Sequence, residues 1–324
     1  MRALKERFNY SFNSLYRVIG VSKQAVNQHK KRLEEKCQRT FQLLEEVDMI
    51  RSEHPGCGVE KMYGMLQPYW LGRDRFIKLL MTSGYRVKKV RNYIRTTYSV
   101  SSNYYPNYIE GMQLTDINRL IQTDITYFMI GDKFHYITFI IDVYSRKIIG
   151  YAASNTMRVE ANIRAMKMAL QERKGMCLDK LIHHSDRGGQ YNAKEYINLL
   201  QVNKITVSMG KKAQDNAYAE RINGIIKNEY LKYKTIKTYA DLKRELRRSV
   251  RHYNAKRPHN SLAKRSTPID FERNLLSLFR KKRPKVIVYA DGNYKIKEAS
   301  SLFNFRQEEE PQVPACPIKI EMIV

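Results

Sequence analysis

The chain of 324 residues is poor in cysteine and in acidic residues, and it lacks the signatures of several common protein classes. Its four cysteines are scattered without a CxxC pair, so neither a zinc knuckle nor a disulfide framework is predicted. The first ten residues, MRALKERFNY, contain no apolar signal segment, and no apolar run approaches the length of a membrane span. Neither GxxxxGK[ST] nor HExxH occurs. These absences predict a soluble protein of a reducing, cytoplasmic compartment.

Positive charge is what the chain has in excess. Lysine and arginine number 59 against 32 acidic residues, which gives a formal net charge of +27. A hydrophobic fraction of 43% is enough to build packed cores, so the chain is not a disordered basic tail. A surface this basic favours a polyanionic partner, and nucleic acid is the obvious one. Composition alone leaves a ribosomal or membrane-surface protein open.

Residues 1–45 are predicted to be a helix-turn-helix DNA-binding region. Within them, SFNSLYRVIGVSKQAVNQHKKR has Gly20 where a first helix would end and Ser22 where a second would be capped. Leu15, Val18 and Ile19 give the first helix an apolar face, and Ala25 and Val26 are expected to be buried in the second.

The second helix of this region carries polar amides followed by lysines. That order suits a recognition helix that contacts base edges and then phosphates. An ordinary solvated helix of a small bundle remains the alternative. The residues expected to contact DNA are Lys23, Gln24, Asn27, Lys30 and Lys31.

Residues 46–98 are predicted to be a second helical region resembling a helix-turn-helix, with a break at Pro55 and a basic strip near its end. A plain helical spacer is the alternative. Residues 99–116 are rich in serine, asparagine and tyrosine and are expected to form a linker.

The pattern of residue types changes at residue 117, and residues 117–275 predict an α/β domain. Three runs rich in β-branched and aromatic residues, separated by short turns, predict an antiparallel meander. Helix and strand then alternate twice, so the expected sheet is mixed and five-stranded, with helices on both faces. A long helix over YAERINGIIKNEYL and a basic helix follow. Residues 276–324 are expected to form a basic, β-rich C-terminal segment with a tail, including a hairpin that turns at Asp291-Gly292.

Three acidic residues occupy unusual positions in this domain. Asp124 lies inside the first predicted strand, where aspartate is uncommon, and Asp186 ends the fourth strand before a Gly-Gly turn. Glu220 lies near the start of the long helix. If the first and fourth strands are neighbours, these carboxylates meet and need Mg²⁺ or Mn²⁺ to neutralise them. Each acid also has an ordinary interpretation: an edge-strand residue, a turn former and a favourable helix N-terminal charge.

Four segments in order carry a resemblance to a known family: QTDITY, HHSDRGGQY, SMGKKAQDNAYAERINGIIKNEY and YNAKRPHNSLAKRSTP. Together they resemble bacterial insertion-sequence transposases of the IS-three type, the OrfB proteins, which are relatives of retroviral integrases. The resemblance covers about residues 45–275. It implies an RNase H-like fold, an Asp–Asp–Glu triad and two Mg²⁺ (or Mn²⁺) ions.

Matched motif by motif, the resemblance assigns catalysis and metal binding to Asp124, Asp186 and Glu220. Asp186 and Glu220 have 33 residues between them, fewer than is usual in the family, because the loop before Asp-Asn-Ala is short. Glu229 is the competing glutamate, and the intact Asp-Asn-Ala-x-x-Glu segment favours Glu220. Lys227 is seven residues after Glu220 and is expected on the same helical face, near DNA phosphate.

Other residues near the expected active site also receive roles. Lys211 and Lys212 precede the catalytic helix and are expected to contact DNA ends, and Arg187 is expected to pair with a carboxylate or a phosphate. Asp142 is expected to be structural. His183 and His184 are expected to be packing or hydrogen-bonding residues rather than ligands.

The family resemblance implies a DNA transposase that binds the inverted-repeat ends of an insertion sequence, a mobile element of DNA. It would cleave the element's 3′ end and then join the freed 3′-OH to another phosphodiester, both by in-line displacement at a two-metal site. Implied partners are terminal and target DNA, further copies of the chain and an upstream-frame protein, in the nucleoid of a bacterial cytoplasm. A catalytically inactive DNA-binding regulator and an RNase H-like nuclease are the alternatives.

Overall fold

The computed structural model describes residues 11–87, 105–210 and 213–288. The chain divides into two compact units at Pro55 and Gly56, and each is described separately. Within the described ranges no helix is both long and apolar enough to cross a membrane.

The first unit contains the predicted helix-turn-helix, although its second helix is longer than expected. Helix α1 spans Phe12–Ile19, and Gly20 ends it in the left-handed conformation at φ 69°. Helix α2 spans Lys23–Glu53, and the Ser22 hydroxyl caps it by accepting from the Ala25 amide at 3.1 Å. Because α2 is continuous through residue 45, the expected domain boundary at 45/46 is wrong. The break near Pro55 is confirmed.

The burial expected at Ala25 is wrong and at Val26 is only partial, and the apolar face of α1 is buried at one of its three positions. Leu15 is buried, whereas Val18 is 85% exposed and Ile19 is exposed as well. Ala25 is exposed and Val26 half-buried. Helical periodicity identifies an apolar face, but whether another element covers that face depends on contacts outside the helix.

The second unit begins with the two predicted short helices, α3 (Val59–Leu66) and α4 (Arg73–Thr82). The expected linker at 99–116 is wrong for its described part. Ile109 and Leu114 are buried in a hydrophobic cluster, and residues Gln113–Leu114 form strand β1. The preceding residues 88–104, which hold most of the expected basic strip, lie outside the described ranges.

The mixed five-stranded sheet is confirmed. Its strands are β2 (Leu120–Ile130), β3 (Lys133–Asp142), β4 (Ile148–Ser154), β5 (Ile182–Ser185) and β6 (Thr206–Met209), in the spatial order β4-β3-β2-β5-β6. The pairs β2–β3 and β3–β4 are antiparallel, and the pairs β2–β5 and β5–β6 are parallel. Strand β2, the first of this sheet along the chain, is therefore central, and β5, the fourth, lies beside it.

Helices cover both faces of this sheet. They can do so because successive apolar side chains of β3 point to opposite faces, so that both faces are hydrophobic. Ile140 joins the cluster that includes Ala165 and Leu200, which belong to helices α5 (Glu160–Glu172) and α6 (Lys194–Val202). Ile137, Phe139 and Ile141 join the opposite cluster, which contains the helices that follow β6. This architecture is the RNase H-like fold.

The predicted long helix after β6 is three consecutive segments. A 3₁₀ turn over Ala213–Asn216 leads into α7 (Ala217–Ile225). A π-helical turn, Ile226–Tyr230, and a 3₁₀ turn, Leu231–Tyr233, then follow. The predicted range is therefore helical throughout, but it changes from α to π geometry after Ile225, and π turns occur often at functional sites.

The remaining described elements close the second unit. Helix α8 (Tyr239–Ala255) is the predicted basic helix, and α9 (Pro268–Leu276) follows it. Strand β7 (Val286–Ile287) pairs antiparallel with β1, so the start of the C-terminal segment folds back onto residues 113–114. The hairpin expected at Asp291-Gly292 lies outside the described residues.

Candidate active site

Asp124 lies in the middle of the central strand β2 and is half-buried. Its Oδ1 accepts a hydrogen bond from the Ile125 amide at 2.9 Å, and its Oδ2 accepts one from Asn223 Nδ2 at 2.7 Å. Burial, and after it the negative charges of Asp186 and Glu220, raise the pKa of Asp124 to about 7, although the two hydrogen bonds act to lower it. A carboxyl group in this state is partly protonated near neutral pH.

Asp186 reaches the same level of the sheet because β2 and β5 are parallel. Gln122 is paired with His184, and Asp124 and Asp186 each follow these partners by two residues. The Gly188 amide donates to Asp186 Oδ1 at 3.0 Å. A Cβ at Gly188 would approach that oxygen to 3.0 Å, so glycine suits the turn. Loss of surrounding water raises the pKa of Asp186.

Glu220 occupies the first turn of α7 and is exposed. Its pKa is raised by partial burial and by the charge of Asp186. The charges of Asp186 and Glu220 both raise the pKa of Asp124, so each of the three carboxylates interacts electrostatically with at least one other. The fold thus brings together all three acids that the sequence singled out.

The chemistry of this site suits a hard divalent cation, although the side chains are not packed as a closed ligand cluster. Three carboxylates supply only oxygen donors, which Mg²⁺ and Mn²⁺ prefer. Burial is the main cause of the raised pKa of Asp124, and the repulsion from Asp186 and Glu220 that adds to it is what a bound cation would relieve. Among the described residues, no group of three or more His, Cys, Asp and Glu side chains is close enough to hold a metal ion as it stands.

Three amide side chains position the acids, and the sequence analysis did not identify them. Buried Gln122 donates from Nε2 to the Asp215 carbonyl at 2.9 Å, and its Oε1 accepts from the Ala219 amide at 3.3 Å. Asn216 Nδ2 donates to the Thr123 carbonyl at 2.8 Å. Together with Asn223, these bonds join the start of α7 to β2. The available signal was an amide two residues before Asp124 and another three residues after Glu220.

Lys227 lies in the π turn, next to the same strand as Asp124. Its Nζ is 3.4 Å from Thr126 Oγ1 and 4.3 Å from the ring centroid of Tyr127. Because side chains alternate along a strand, Thr126 and Asp124 share a face of β2. Partial burial and the nearby charge of Lys232 lower the pKa of Lys227.

Glu229, the competing glutamate, is part of an ion cluster instead. Arg257 donates to both of its carboxylate oxygens at 2.9 Å, and Lys61 Nζ is 3.1 Å from Oε1. The Gly56 amide also donates to the Glu229 carbonyl at 2.7 Å. Glu229 therefore joins the π turn to Lys61 of α3 and to Arg257, which lies just after α8.

Asp142, His183 and His184 have structural partners. Asp142 is fully buried, and its Oδ1 accepts from the amides of Tyr144 and Ser145, each at 3.0 Å, at the turn after β3. His183 hydrogen-bonds the Tyr196 hydroxyl at 2.8 Å, and His184 pairs with Ser208 Oγ at 2.9 Å. These contacts agree with the packing roles predicted for them.

The expected DNA contacts occupy different parts of the chain. Those at the start of α2 are all exposed: Lys23, Gln24, Asn27, Lys30 and Lys31. Lys30 forms an ion pair with Glu34 at 3.7 Å. Arg187 is half-buried next to Asp186. Lys211 and Lys212 lie outside the described residues.

Comparison with known proteins places these residues in a family. Residues 115–214 match an integrase core domain model, and residues 203–268 match a second integrase core domain model. A 31 kDa protein of insertion element IS600 from Shigella sonnei is 32% identical over 200 residues, which cover 59% of this chain and 72% of that protein. The transposase of insertion sequence element IS629, also from Shigella sonnei, is 28% identical over 239 residues, 71% of this chain and 78% of that protein.

The chain belongs to the insertion-sequence transposases that have an integrase core domain. Asp124 and Asp186 fall within the first domain match and Glu220 within the second. A Mycobacterium tuberculosis protein of insertion sequence element IS986/IS6110 is 36% identical over 120 residues, 36% of this chain. The chain spans 43% of that relative's length. Among solved structures, the HTLV-2 integrase catalytic core domain in complex with magnesium aligns with a TM-score of 0.39 at 18% identity, covering 48% of this chain and 96% of that one.

Proposed function

We propose that this protein is a DNA transposase, a polynucleotidyl transferase that cleaves the 3′ ends of an insertion sequence and joins them to new DNA. The observation that supports this most directly is the electrostatic coupling of Asp124 with Asp186, at the same level of the sheet, and with Glu220 on the adjoining helix. Carboxylates that raise one another's pKa are common at sites that need charge for chemistry. Membership of the transposase family makes phosphoryl transfer on DNA the reaction that this site suits best.

Asp124, Asp186 and Glu220 are the residues that would hold Mg²⁺ or Mn²⁺, two ions in all. When bound, such ions neutralise the carboxylates and stabilise the charge that develops on the attacking and leaving oxygens. Asn223 and the Ile125 amide favour the ionised form of Asp124 by donating to it. The Gly188 amide does the same for Asp186.

Two displacements at this site would complete the reaction. In the first, the oxygen of water attacks phosphorus and the bond to the element's 3′ oxygen breaks, which leaves a free 3′-OH. In the second, that hydroxyl attacks a phosphodiester of another strand, and the strand's own 3′ oxygen leaves. Lys227 lies beside Thr126, two residues beyond Asp124, where its ammonium group would bind a phosphate of the DNA.

The other basic residues are proposed to position the DNA. The start of α2 would contact the terminal inverted repeats through Lys23, Gln24, Asn27, Lys30 and Lys31. Arg187, Lys211 and Lys212 would contact phosphates next to the carboxylates. In this proposal the helical region after residue 55 also binds DNA.

Pairing two element ends requires at least two copies of the chain, so we expect a homo-oligomer on DNA, with an upstream-frame protein as a further partner. The place of action is then the nucleoid of a bacterial cell.

The test is a cleavage and joining assay with purified protein, Mg²⁺ and labelled DNA from the ends of the element that carries the gene. We expect the wild type to release a 3′-OH end and to join it to a second duplex. Asp124→Asn, Asp186→Asn and Glu220→Gln should each bind this DNA and lose both reactions, whereas Glu160→Gln, an exposed helical control, should retain them.

The outcomes separate the candidate functions. Binding without cleavage by the wild type would identify a DNA-binding regulator, and cleavage only of an RNA–DNA hybrid would identify a nuclease. Activity that survives in Asp186→Asn would remove the proposed triad.

A further inference from the structure

A cavity of about 490 Å³ lies between the turn that joins α3 to α4 and the loop before α9. Residues Tyr63, Gly64, Gln67 and Tyr69 line one side, and Lys264 and Arg265 line the other. We call it the tyrosine–arginine cavity. Its volume lies in the range of about 300–1,000 Å³ that is usual for small-ligand sites. None of its lining residues belongs to the carboxylate site.

One side of the cavity offers aromatic surface. Tyr69 is 88% exposed, and within the described part of the chain it makes no hydrogen bond or ring contact. Tyr63 is half-buried and held edge-to-face against Phe76, with ring centroids 5.4 Å apart. A rigid tyrosine and an uncovered one thus line the same space. Exposed aromatic rings of this kind are platforms on which nucleobases stack.

The other side offers positive charge on a constrained loop. Lys264 and Arg265 are exposed, and neither has an acidic partner among the residues that the structure describes. Both have left-handed backbone, with φ 54° and 52°, a conformation that is costly for residues with a side chain and often marks functional loops. The Arg265 amide donates to the Leu262 carbonyl at 3.1 Å, which helps to hold this shape.

Arg265 lies next to α3 as well as next to the cavity. A Cβ at Gly64 would be 3.8 Å from its Nη1 atom. Arg265 also lines a smaller neighbouring cavity of about 180 Å³, together with Lys61 and Asn260. Its guanidinium group is therefore close to both spaces. Within the described residues, the tyrosine–arginine cavity has no acidic lining residue, so an anion would meet no repulsion from its wall.

We propose that the tyrosine–arginine cavity binds one unpaired nucleotide of DNA. The base stacks on Tyr69 and contacts Tyr63, and the adjoining phosphates bind Lys264 and Arg265. A base within a duplex has both faces covered by its neighbours, so a tyrosine can stack only on a base that is displaced from the duplex or lies in a single strand. This inference rests on the proposed function, because that function makes DNA the ligand. It adds a site for a single base, apart from the carboxylate site.

The test compares the binding of three labelled DNAs to the full chain by fluorescence anisotropy in EDTA. The first is a blunt duplex, the second carries a short single-stranded 3′ extension, and the third carries the same extension without bases. The proposal expects the natural extension to bind about five- to a hundredfold more tightly than the abasic one. Tyr69→Ala should remove this difference, whereas Tyr108→Ala, at another exposed tyrosine, should preserve it.

The two cations are tested separately from the base. Replacing Lys264 and Arg265 by glutamine should weaken binding of both extended DNAs more than binding of the blunt duplex. Lys174→Gln, which removes one charge from an exposed position elsewhere, should weaken all three DNAs alike. Because Tyr69, Lys264 and Arg265 are exposed, these variants should keep the wild-type unfolding temperature.

Three results would overturn the proposal. Equal affinity of the wild type for all three DNAs, or an unchanged preference in Tyr69→Ala, would reject the cavity as a base site and leave the transposase proposal in place. Absence of binding to any DNA would reject both. Since these measurements contain no metal, they do not depend on cleavage.

Discussion

Asn223 Nδ2 donates a hydrogen bond of 2.7 Å to Asp124 Oδ2 and so joins the helix of Glu220 to the central strand. Asn223 is buried, is three residues beyond Glu220 and lies almost one helical turn from it. One hydrogen bond therefore fixes the orientation of the first acid and helps to set the position of the third.

Asn223→Ala should weaken the use of Mg²⁺ in DNA cleavage. Without its donor, Asp124 keeps one hydrogen bond and its raised pKa rises further, since the lost bond favoured the ionised form. Loss of a residue that orients a metal ligand typically costs about ten- to a hundredfold in metal affinity. The Mg²⁺ concentration for half-maximal cleavage should rise accordingly. Asn228→Ala, an exposed control in the following turn, should show the wild-type value.

Asp124→Asn should stabilise the metal-free protein, and more so at high pH. The pKa of Asp124 is 3.8 in its ordinary state and about 7 in the folded chain, so the folded state holds a proton that the unfolded state releases. By linkage, wild-type stability falls as pH rises from about 4 to 7, and the penalty is complete above pH 7. The increase in melting temperature caused by the substitution should therefore be larger at pH 8 than at pH 5. An equal increase at both values would contradict the raised pKa.

Glu229→Gln should lower the stability of the protein, whereas Glu220→Gln should abolish DNA cleavage without lowering stability. Glu229 accepts two hydrogen bonds from buried Arg257 and pairs with Lys61, so its replacement leaves cations without their partner. We expect a loss of about 3 kcal/mol in the free energy of unfolding, measured with urea. Glu220 is exposed and repelled by Asp186, so Glu220→Gln should retain stability and lose DNA cleavage. Loss of cleavage with unchanged stability in Glu229→Gln would reverse the assignment.

Gly56→Ala should destabilise the second unit. A Cβ there would overlap the Cα of Glu229 and lie 2.8 Å from its carbonyl oxygen, because the two backbones are hydrogen-bonded at this point. Crowding of this kind typically costs about 1–3 kcal/mol. Gly58→Ala is the matched control, since a Cβ at Gly58 has no atom within 4 Å. Thermal unfolding of the two variants measures the difference.

Much of the fold could be predicted because its signals are local. Gly20 and Ser22 mark a helix end and a helix start whatever surrounds them, and the structure has both. The alternation of β3 side chains between the two faces of the sheet likewise follows from the two-residue period of a strand. The expected burial of Ala25 was wrong because no local signal tells whether another element will cover an apolar face.

The sequence by itself determined the five strands, their connection by helices and the choice of Asp124, Asp186 and Glu220 as exceptional acids. Tertiary structure alone decided that Asn223 holds Asp124, that Glu229 belongs to the cluster of Lys61 and Arg257, and that residues 105–116 pack into the second unit. The physical reason is distance along the chain. Strand and helix periods act over a few neighbours, whereas the partners of Asp124 and Glu229 are brought to them only when the sheet, the π turn and the surrounding helices pack together.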